Sequence, residues 1–381
     1  MEKINYVIAT WSGNRRINDK SYLKNHILKL LSLKHNLSQI TIVKPLLGGD
    51  DSYYDFKELL DAFQCKVVIL DRESNQGQSY GQLFYAYEQF KDEFDYYIFV
   101  EDDYQVDIDN FDSILKEKYN KLGCGYLCSY SGFNNEYPDG GCSVSNGIIS
   151  TKELNKIYTL VEDPSKVIND LDGNFCHKNF ADLLIRCGVN FKDFADEYRV
   201  PYFGTNIIEY GRTDTSKSIF VPNQLFNLNL KFIKMEISDL PKFLEIRNVS
   251  KEFLHNNSEF TLENAIEWYK SYNPNFYMIE LGENIIGYFR TSNWGNKSMY
   301  LGCDLAPNYR GFGLGYTSYV GFINKLNNEF DLDNIKLEVL STNIRAKNLY
   351  DKLGFKTIGI SEEKIIRDNE EIDSIIMELK L

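Results

Sequence analysis

The sequence predicts an α/β protein built as two domains. Strand-like and helix-like runs alternate through the first 225 residues. A turn-prone stretch, Pro222-Asn223-Gln224, is followed by a fresh strand pattern from Leu228. The length of 381 residues exceeds one ordinary core, since domains typically hold about 100–200 residues. The expected domains are residues 1–225 and 230–381.

In the first domain the apolar runs Tyr6–Thr10, Gln39–Val43, Lys66–Leu70 and Tyr96–Val100 have strand length. Between them Tyr22–Leu33, Phe56–Phe63 and Gln78–Phe90 space their apolar residues as helices do. Such alternation makes neighbouring strands parallel and covers the sheet with helices on both faces. Ligands of these sheets bind beyond the carboxyl ends of the strands, where Asp71 and Glu101-Asp102-Asp103 fall.

The second domain opens with a strand over Phe232–Ile237. Helices follow at Leu240–Arg247, with Ser238 or Asp239 as its cap, and at Thr261–Tyr272, where Thr261 and Asn264 form a partial capping pattern. Strands are expected at Phe276–Glu280, Asn284–Thr291 and Ser298–Leu305, the first two joined by a hairpin turn at Gly282-Glu283-Asn284. A long helix over Gly315–Asn327, a strand at Ile335–Leu340, a helix at Ile344–Leu353 and strands at Phe355–Ile360 and Glu371–Leu379 complete it.

Composition narrows the function. Hydrophobic residues make up 43% of the chain, enough for real cores, and the net charge is −13. Neither half is basic: 24 basic residues face 33 acidic ones before residue 230, and 18 face 22 after it. A general nucleic-acid or anionic-membrane binder needs a basic footprint, so both are excluded. No apolar stretch approaches the roughly 18–20 residues that span a bilayer, and no signal peptide is expected from Met1-Glu2-Lys3-Ile4 and the short apolar run after it. Seven scattered cysteines, among them Cys124 and Cys128, form no CxxC pair with a partnering histidine cluster. Reduced structural thiols in a cytosolic compartment are expected, and no zinc site.

The strongest motif lies at Arg310-Gly311-Phe312-Gly313-Leu314-Gly315. A strand runs into Ala306-Pro307, where Pro307 ends its ladder, and the glycines then open an apolar helix. Glycine lets backbone approach a ligand closely, and the free N–H groups and dipole of a helix start bind phosphate. Arg310 adds a full charge there. The chemistry implied is anchoring of a pyrophosphate; a surface turn and a dinucleotide site, with Glu338 as its later acid, are the other readings of this motif alone.

Arg310-x-x-Gly313-x-Gly315 resembles the pyrophosphate motif of the GNAT (GCN5-related) N-acetyltransferases. Asn343-Ile344-Arg345-Ala346-Lys347-Asn348-Leu349-Tyr350-Asp351-Lys352-Leu353-Gly354-Phe355 is similar to the family's second characteristic stretch. The resemblance covers residues 230–381 and implies an α+β fold with a mixed, mostly antiparallel sheet and acetyl-CoA as cofactor. It further implies that the backbone of Asp304 and Leu305 pairs with the pantetheine arm like an added strand. Backbone N–H groups from Arg310 through Gly315 would hold the pyrophosphate, Asn343 would contact the cofactor near its pantetheine, and Tyr350 would protonate the departing thiolate. Asp304, Glu338 or a water chain would deprotonate the acceptor amine. His255, in an Asn-rich loop, reads either as a solvated side chain or as a lining of the acceptor site.

In the first half, three adjacent acids at a strand end repel one another unless a cation binds. Oxygen ligands suit a divalent metal that bridges to a nucleotide diphosphate. The half resembles family-2-like glycosyltransferases of the GT-A fold, through Val7-Ile8-Ala9-Thr10, Asp71, Asn75-Gln76-Gly77, Glu101-Asp102-Asp103, Ser145-Asn146-Gly147-Ile148-Ile149-Ser150 and Asp182-Leu183-Leu184-Ile185-Arg186-Cys187-Gly188. The resemblance implies Mn2+ or Mg2+ held by Glu101 and Asp103, and nucleotide-sugar contacts from Thr10, Asp71 and Asp102. The family's Glu-Asp pair is replaced by Asn179-Phe180, so the catalytic acid falls to Asp182, or to Asp170 or Asp172, or is lost.

A sugar-nucleotide transferase beside an N-acetyltransferase points to an amino sugar. The pairing resembles sugar-modifying proteins of giant DNA viruses, which implies acetylation of a nucleotide-linked amino-dideoxy sugar such as the 4-amine of UDP-viosamine, a glycan or glycoprotein as final acceptor, and a host cytoplasm as the compartment. Two rivals remain: acetylation of a protein N-terminus or lysine, and a lectin-like or scaffold role for the first half.

Overall fold

The computed structural model describes residues 2–10, 22–46, 57–129, 131–133, 142–144, 146–170, 176–193, 219–222, 228–295, 297–362, 364–367 and 370–381. The chain divides into two compact units, Met1–Asn227 and Leu228–Leu381.

The first unit opens with β1 (Ile4–Ala9), buried along its whole length. Its one polar residue, Asn5, accepts from the Thr41 hydroxyl at 2.8 Å, so burial leaves that oxygen satisfied. Helix α1 (Tyr22–Leu31) leads to β2 (Gln39–Pro45), the single turn α2 (Lys57–Leu60) to β3 (Lys66–Arg72), and α3 (Gln78–Gln89) to β4 (Tyr96–Glu101). Then follow β5 (Tyr104–Val106), α4 (Phe111–Leu122), β6 (Tyr126–Cys128), β7 (Ser131–Phe133), β8 (Cys142–Val144) and β9 (Gly147–Ser150). Helices α5 (Thr151–Leu160), α6 (Pro164–Asp170) and α7 (Cys176–Arg186) precede β10 (Phe191–Asp193) and β11 (Phe220–Pro222).

Seven of these strands form one sheet in the order β10-β6-β9-β4-β1-β2-β3. The block β3, β2, β1, β4 is parallel, as strand–helix alternation requires. Strand β9 runs antiparallel between β4 and β6, and β10 is parallel to β6. The chain moves outward from β1 to β3 and then returns to the other side of β1 as β4. In open α/β sheets ligands bind at such a reversal, in the crevice beyond the carboxyl ends of the two central strands. The register sets Ala9 opposite Glu101 at that point.

Two expectations change here. The helix sought over Phe56–Phe63 is one turn, and Phe56 lies outside the described residues. The β2–β3 ladder runs on to Pro45 and Arg72, which takes Asp71 into the strand opposite Lys44, and the two side chains pair at 3.2 Å. A one-dimensional pattern cannot show how long a partner strand sustains pairing.

The unit's core is aromatic. Tyr80, Phe84, Tyr87, Tyr97, Phe99, Tyr126 and Phe180 are buried together, and Tyr80 stacks on Phe180 at 4.1 Å. Buried phenols need acceptors: Tyr97 donates to the carbonyl of Phe90 and Tyr80 to that of Val144.

In the second unit β12 (Lys231–Lys234) is shorter than expected, because Ile237 enters a 3₁₀ turn at Ile237–Asp239. That turn is closed by the Asp239 carboxylate accepting from the Glu236 N–H at 2.8 Å. Helix α8 (Leu240–Val249) follows, then α9 (Leu262–Tyr272), whose cap Thr261 accepts from Asn264 N–H. Strands β13 (Phe276–Leu281), β14 (Asn284–Gly295) and β15 (Ser298–Leu305) lead to α10 (Leu314–Glu329), β16 (Asn334–Leu340), α11 (Ile344–Leu353) and β17 (Lys356–Ile360). The last stretch is two strands after the small β18 (Ile365–Arg367): β19 (Glu370–Ile372) and β20 (Ser374–Lys380).

Seven strands again form one sheet, β12-β13-β14-β15-β16-β20-β17. Every neighbouring pair is antiparallel except β15 and β16. Phe289 stacks on Phe322 of α10 at 4.2 Å, which fixes that helix against the sheet. No described helix in either unit is long and apolar enough to cross a membrane.

Candidate active site

The parallel pair β15–β16 determines the site in the second unit. Only Ser298, Met299 and Tyr300 of β15 register with β16, against Asn334, Ile335 and Lys336. Beyond them β15 continues to Leu305 paired with β14, and β16 continues to Leu340 paired with β20. The two strands therefore splay, and on the side of β16 the edge of β15 from Leu301 to Leu305 has no strand neighbour among the described residues. A linear ligand bearing amides can pair with such an edge. A pocket of about 340 Å³ opens at the split, lined among others by Cys303, Asp304, Leu305, Asn343, Leu349 and Tyr350.

The start of α10 forms another wall. Gly311 and Gly313 have φ of 94° and 85°, a left-handed backbone that other residues resist. Gly315 is favoured by space instead: a Cβ there would meet Leu349 Cδ2 at 3.2 Å, so that side chain would have to give by a few tenths of an ångström. Leu314 is buried beneath the helix and Phe312 is half-buried, and neither lines the pocket, so these two positions can offer only backbone. The Arg310 guanidinium folds back, Nε donating to the carbonyl of Leu305 at 2.8 Å and Nη2 to Ser250 Oγ at 2.6 Å. Arg310 thus holds the loop in shape as well as lining the pocket. Arg345 and Lys352 bring further positive charge to the same walls, a contribution the motif alone did not reveal.

Asn343 caps α11, its Oδ1 accepting from Ala346 N–H at 3.2 Å, so its amide Nδ2 is what it can offer a ligand. Tyr350 sits on the same helix and is 7% exposed. Burial pushes its hydroxyl up to about 12, opposed by a hydrogen bond that Tyr319 donates to it at 3.2 Å. Tyr350 therefore carries its proton at pH 7, and the Tyr319 hydroxyl is placed to donate to its oxygen. Burial likewise pushes the Cys303 thiol up, leaving it protonated and a poor nucleophile.

The two candidate bases have different surroundings. Asp304 is paired with Arg290 at 3.2 Å, and that guanidinium lies over Gly302, where a Cβ would meet Nη2 at 2.9 Å. Service as a base would break this pair. Glu338 lies on the splayed part of β16, on the face opposite buried Leu337 and Val339. Its Oε2 is 3.4 Å from His255 Nε2 and 3.2 Å from Ser374 Oγ, and His255 Nε2 is 2.7 Å from that hydroxyl. The loop histidine is thus tied to the candidate base. Pairing across separated segments leaves no local trace, so no motif marks Ser374, Tyr319 or Arg290, and the sequence offers His255 only as a loop histidine.

In the first unit Thr10 is buried and internally bonded. Its hydroxyl donates to the carbonyl of Val43 at 2.9 Å, and the Gln82 amide bonds both its N–H and its C=O. Asp102 is buried, with its N–H on the carbonyl of Ala9, while Asp103 is half-buried. Asp182 is paired with Lys178 at 2.8 Å, and the buried Asn179 amide donates to the carbonyl of Ile168. Asp172 and Ser145 lie outside the described residues, as does the side chain of Asp170. What converges on Glu101 is His177, at 3.5 Å, with the Cys176 sulfur close by. An imidazole and a thiol beside one carboxylate do not fit the oxygen-only shell that Mg2+ demands.

Residues 240–355 match the acetyltransferase (GNAT) family, so the second unit carries a GNAT acetyltransferase domain. No curated protein matches the chain in sequence. Among solved structures the chain is similar to spermidine N-acetyltransferase from Vibrio cholerae in complex with CoA and spermine: 20% identity, 40% of this chain and 95% of that one, TM-score 0.37. It is similar also to ribosomal-protein-alanine N-acetyltransferase from Brucella melitensis, at 21% identity over 40% and 100% of the two chains, TM-score 0.36. A third is the GNAT-family acetyltransferase from Bacillus anthracis, at 18% identity over 40% and 96%, TM-score 0.36.

Proposed function

We propose that the second unit transfers the acetyl group of acetyl-CoA to the primary amine of a nucleotide-linked amino-dideoxy sugar, such as the 4-amine of UDP-viosamine. The observation that carries the acetyl transfer is the split between β15 and β16, with the glycine-led start of α10 and Tyr350 lining the same pocket. Acetyl-CoA supplies an activated thioester. The α10 N–H groups, with Arg310, Arg345 and Lys352, hold its phosphates, and the free edge of β15 orients its amide-bearing arm. Glu338, backed by His255 and Ser374, takes the proton of the acceptor amine; Asp304 stays with Arg290. Tyr350 gives its proton to the departing sulfur, and Tyr319 then stabilises the phenolate.

The choice of acceptor draws on the first unit. Its resemblance to nucleotide-sugar transferases of GT-A type, and the reversal of strand order at β1 and β4, support a sugar nucleotide handled by the same chain. We read that unit as a glycosyltransferase that passes the acetylated sugar to a glycan or glycoprotein.

A panel of UDP- and dTDP-amino sugars, polyamines and N-terminal peptides, incubated with acetyl-CoA and read by mass spectrometry, tests the acceptor. Acetylation of an amino-sugar nucleotide at least about tenfold faster than of peptide or polyamine is the expected result; preference for either of the others ends the sugar reading. Calorimetry of UDP- and dTDP-sugars tests the first unit separately, and absence of binding there ends the transferase reading.

A further inference from the structure

His177 stands at the start of α7, and its ring orientation is settled by what surrounds it. Nδ1 is 2.9 Å from the carbonyl oxygen of Val144. A carbonyl only accepts, so Nδ1 carries a hydrogen and donates. Tyr80 donates to the same carbonyl at 2.8 Å and lies 3.0 Å from Nδ1, which locks the ring on that side. In the neutral ring Nε2 then bears only a lone pair. It faces Glu101 Oε2 at 3.5 Å, so two acceptors confront each other. Either a proton on Nε2 or a cation must lie between them.

The third group separates these cases. Cys176 Sγ, Glu101 carboxylate oxygen and His177 nitrogen lie within 4.8 Å of one another. The Cys176 sulfur packs against the core and lies 3.8 Å from Ser79 Oγ; a proton shared by His177 and Glu101 would leave it outside that pair, whereas a tetrahedral cation would use all three groups. Metal–ligand bonds of about 2.0–2.3 Å give ligand–ligand edges of roughly 3.3–3.8 Å, which the nitrogen–oxygen distance already matches. The carbonyl behind Nδ1 is the outer partner that ligating histidines usually have. The Glu101 backbone is tethered through its N–H to Asn146 Oδ1 at 2.9 Å, at the carboxyl end of β4 where Glu101 pairs with Ala9 of β1.

We propose that Glu101, Cys176 and His177 form a binding site for a divalent cation of the zinc class, with one position open toward the crevice. One carboxylate, one imidazole and one thiolate form a borderline-soft set that selects Zn2+ or Co2+ over Mg2+. On binding, the thiol releases its proton and the sulfur becomes a ligand. The site does not depend on the sugar-nucleotide reading, and it departs from the expectation of no zinc site.

The test is Co2+ titration of the full chain after chelator treatment, with Zn2+ competition. Expected are one equivalent of tightly bound Co2+, a thiolate-to-cobalt charge-transfer band in the near ultraviolet, displacement by Zn2+ and indifference to Mg2+. Cys176→Ser should abolish the band, and His177→Gln should weaken binding by at least about the 10- to 100-fold that loss of an outer partner costs. Circular dichroism checks that both variants stay folded. No stoichiometric binding by the wild-type chain overturns the proposal, as does a band that survives Cys176→Ser.

Discussion

The two candidate sites are made of different material. In the second unit the frame of the pocket is backbone: a strand edge exposed by the splay of β15 from β16, and a helix start shaped by Gly311 and Gly313. In the first unit the cluster at the end of β4 is side chains, drawn from Glu101 and from Cys176 and His177 of α7. A backbone site needs special residues at fixed spacing, because only glycine takes a positive φ cheaply. A side-chain cluster needs only that the fold deliver the right atoms to one point.

The largest effect should fall on the proton donor. Tyr350→Phe should lower kcat about 100-fold or more while leaving the KM for acetyl-CoA within about twofold, because a general acid acts in the transition state. A rise in KM with unchanged kcat would make Tyr350 a wall of the pocket only. Because burial holds this hydroxyl near 12, it stays protonated through neutral and mildly alkaline pH, so the wild-type kcat should show no loss assignable to Tyr350 between pH 7 and 10.

Next comes Glu338→Gln, expected to lower kcat about 30-fold at pH 7 and to be partly restored at high pH, where the amine loses its proton unaided. An Asp304→Asn change that costs more, with folding intact, would move the base role to Asp304.

The backbone character of the anchor is tested by a pair of variants. Gly313→Ala forces a side chain into φ 85° at a cost of about 1–2 kcal/mol, which should weaken acetyl-CoA binding about 5- to 30-fold. Arg310→Ala should cost less, since its guanidinium is partly spent on Leu305 and Ser250. Calorimetry showing the reverse order would make the anchor a side-chain site and remove the contrast. Tyr319→Phe, which deletes one hydrogen bond to Tyr350, should lower kcat about fivefold.

The last effect leaves catalysis untouched and separates the units by stability. His26 is wholly buried against Tyr6, and burial lowers its pKa from 6.5 to about 3. The fold therefore favours the neutral ring. That stabilisation is complete above the unfolded value and is lost as pH falls from about 6.5 toward 3, with about 2 kcal/mol gone by pH 5. Hydrogen exchange should show core amides of β1 and β2 losing protection at pH 5 relative to those of β13 and β14. Equal loss in both units would discount His26.

Legibility in the sequence followed the same divide. Strand Ser298–Leu305 and helix Ile344–Leu353 have the bounds that their periodicity and end signals indicate, because local sterics and capping set them. Asp71 was read as lying past a strand end, but a neighbouring strand carries the ladder beyond it. Cys176 and His177 are adjacent in the chain and still gave no signal, since the carboxylate that makes them a cluster comes from a different strand.

From the sequence alone follow the two-part α/β organisation, the glycine-led helix start, and Asn343 and Tyr350 on the next helix, because each depends on interactions within a few residues. The tertiary structure decided that β15 and β16 part after three residue pairs, that His255 and Ser374 gather on Glu338, that Arg290 holds Asp304, and that a thiol and an imidazole meet Glu101. Each of these is a meeting of segments distant in the chain, and no local preference specifies which distant groups will meet.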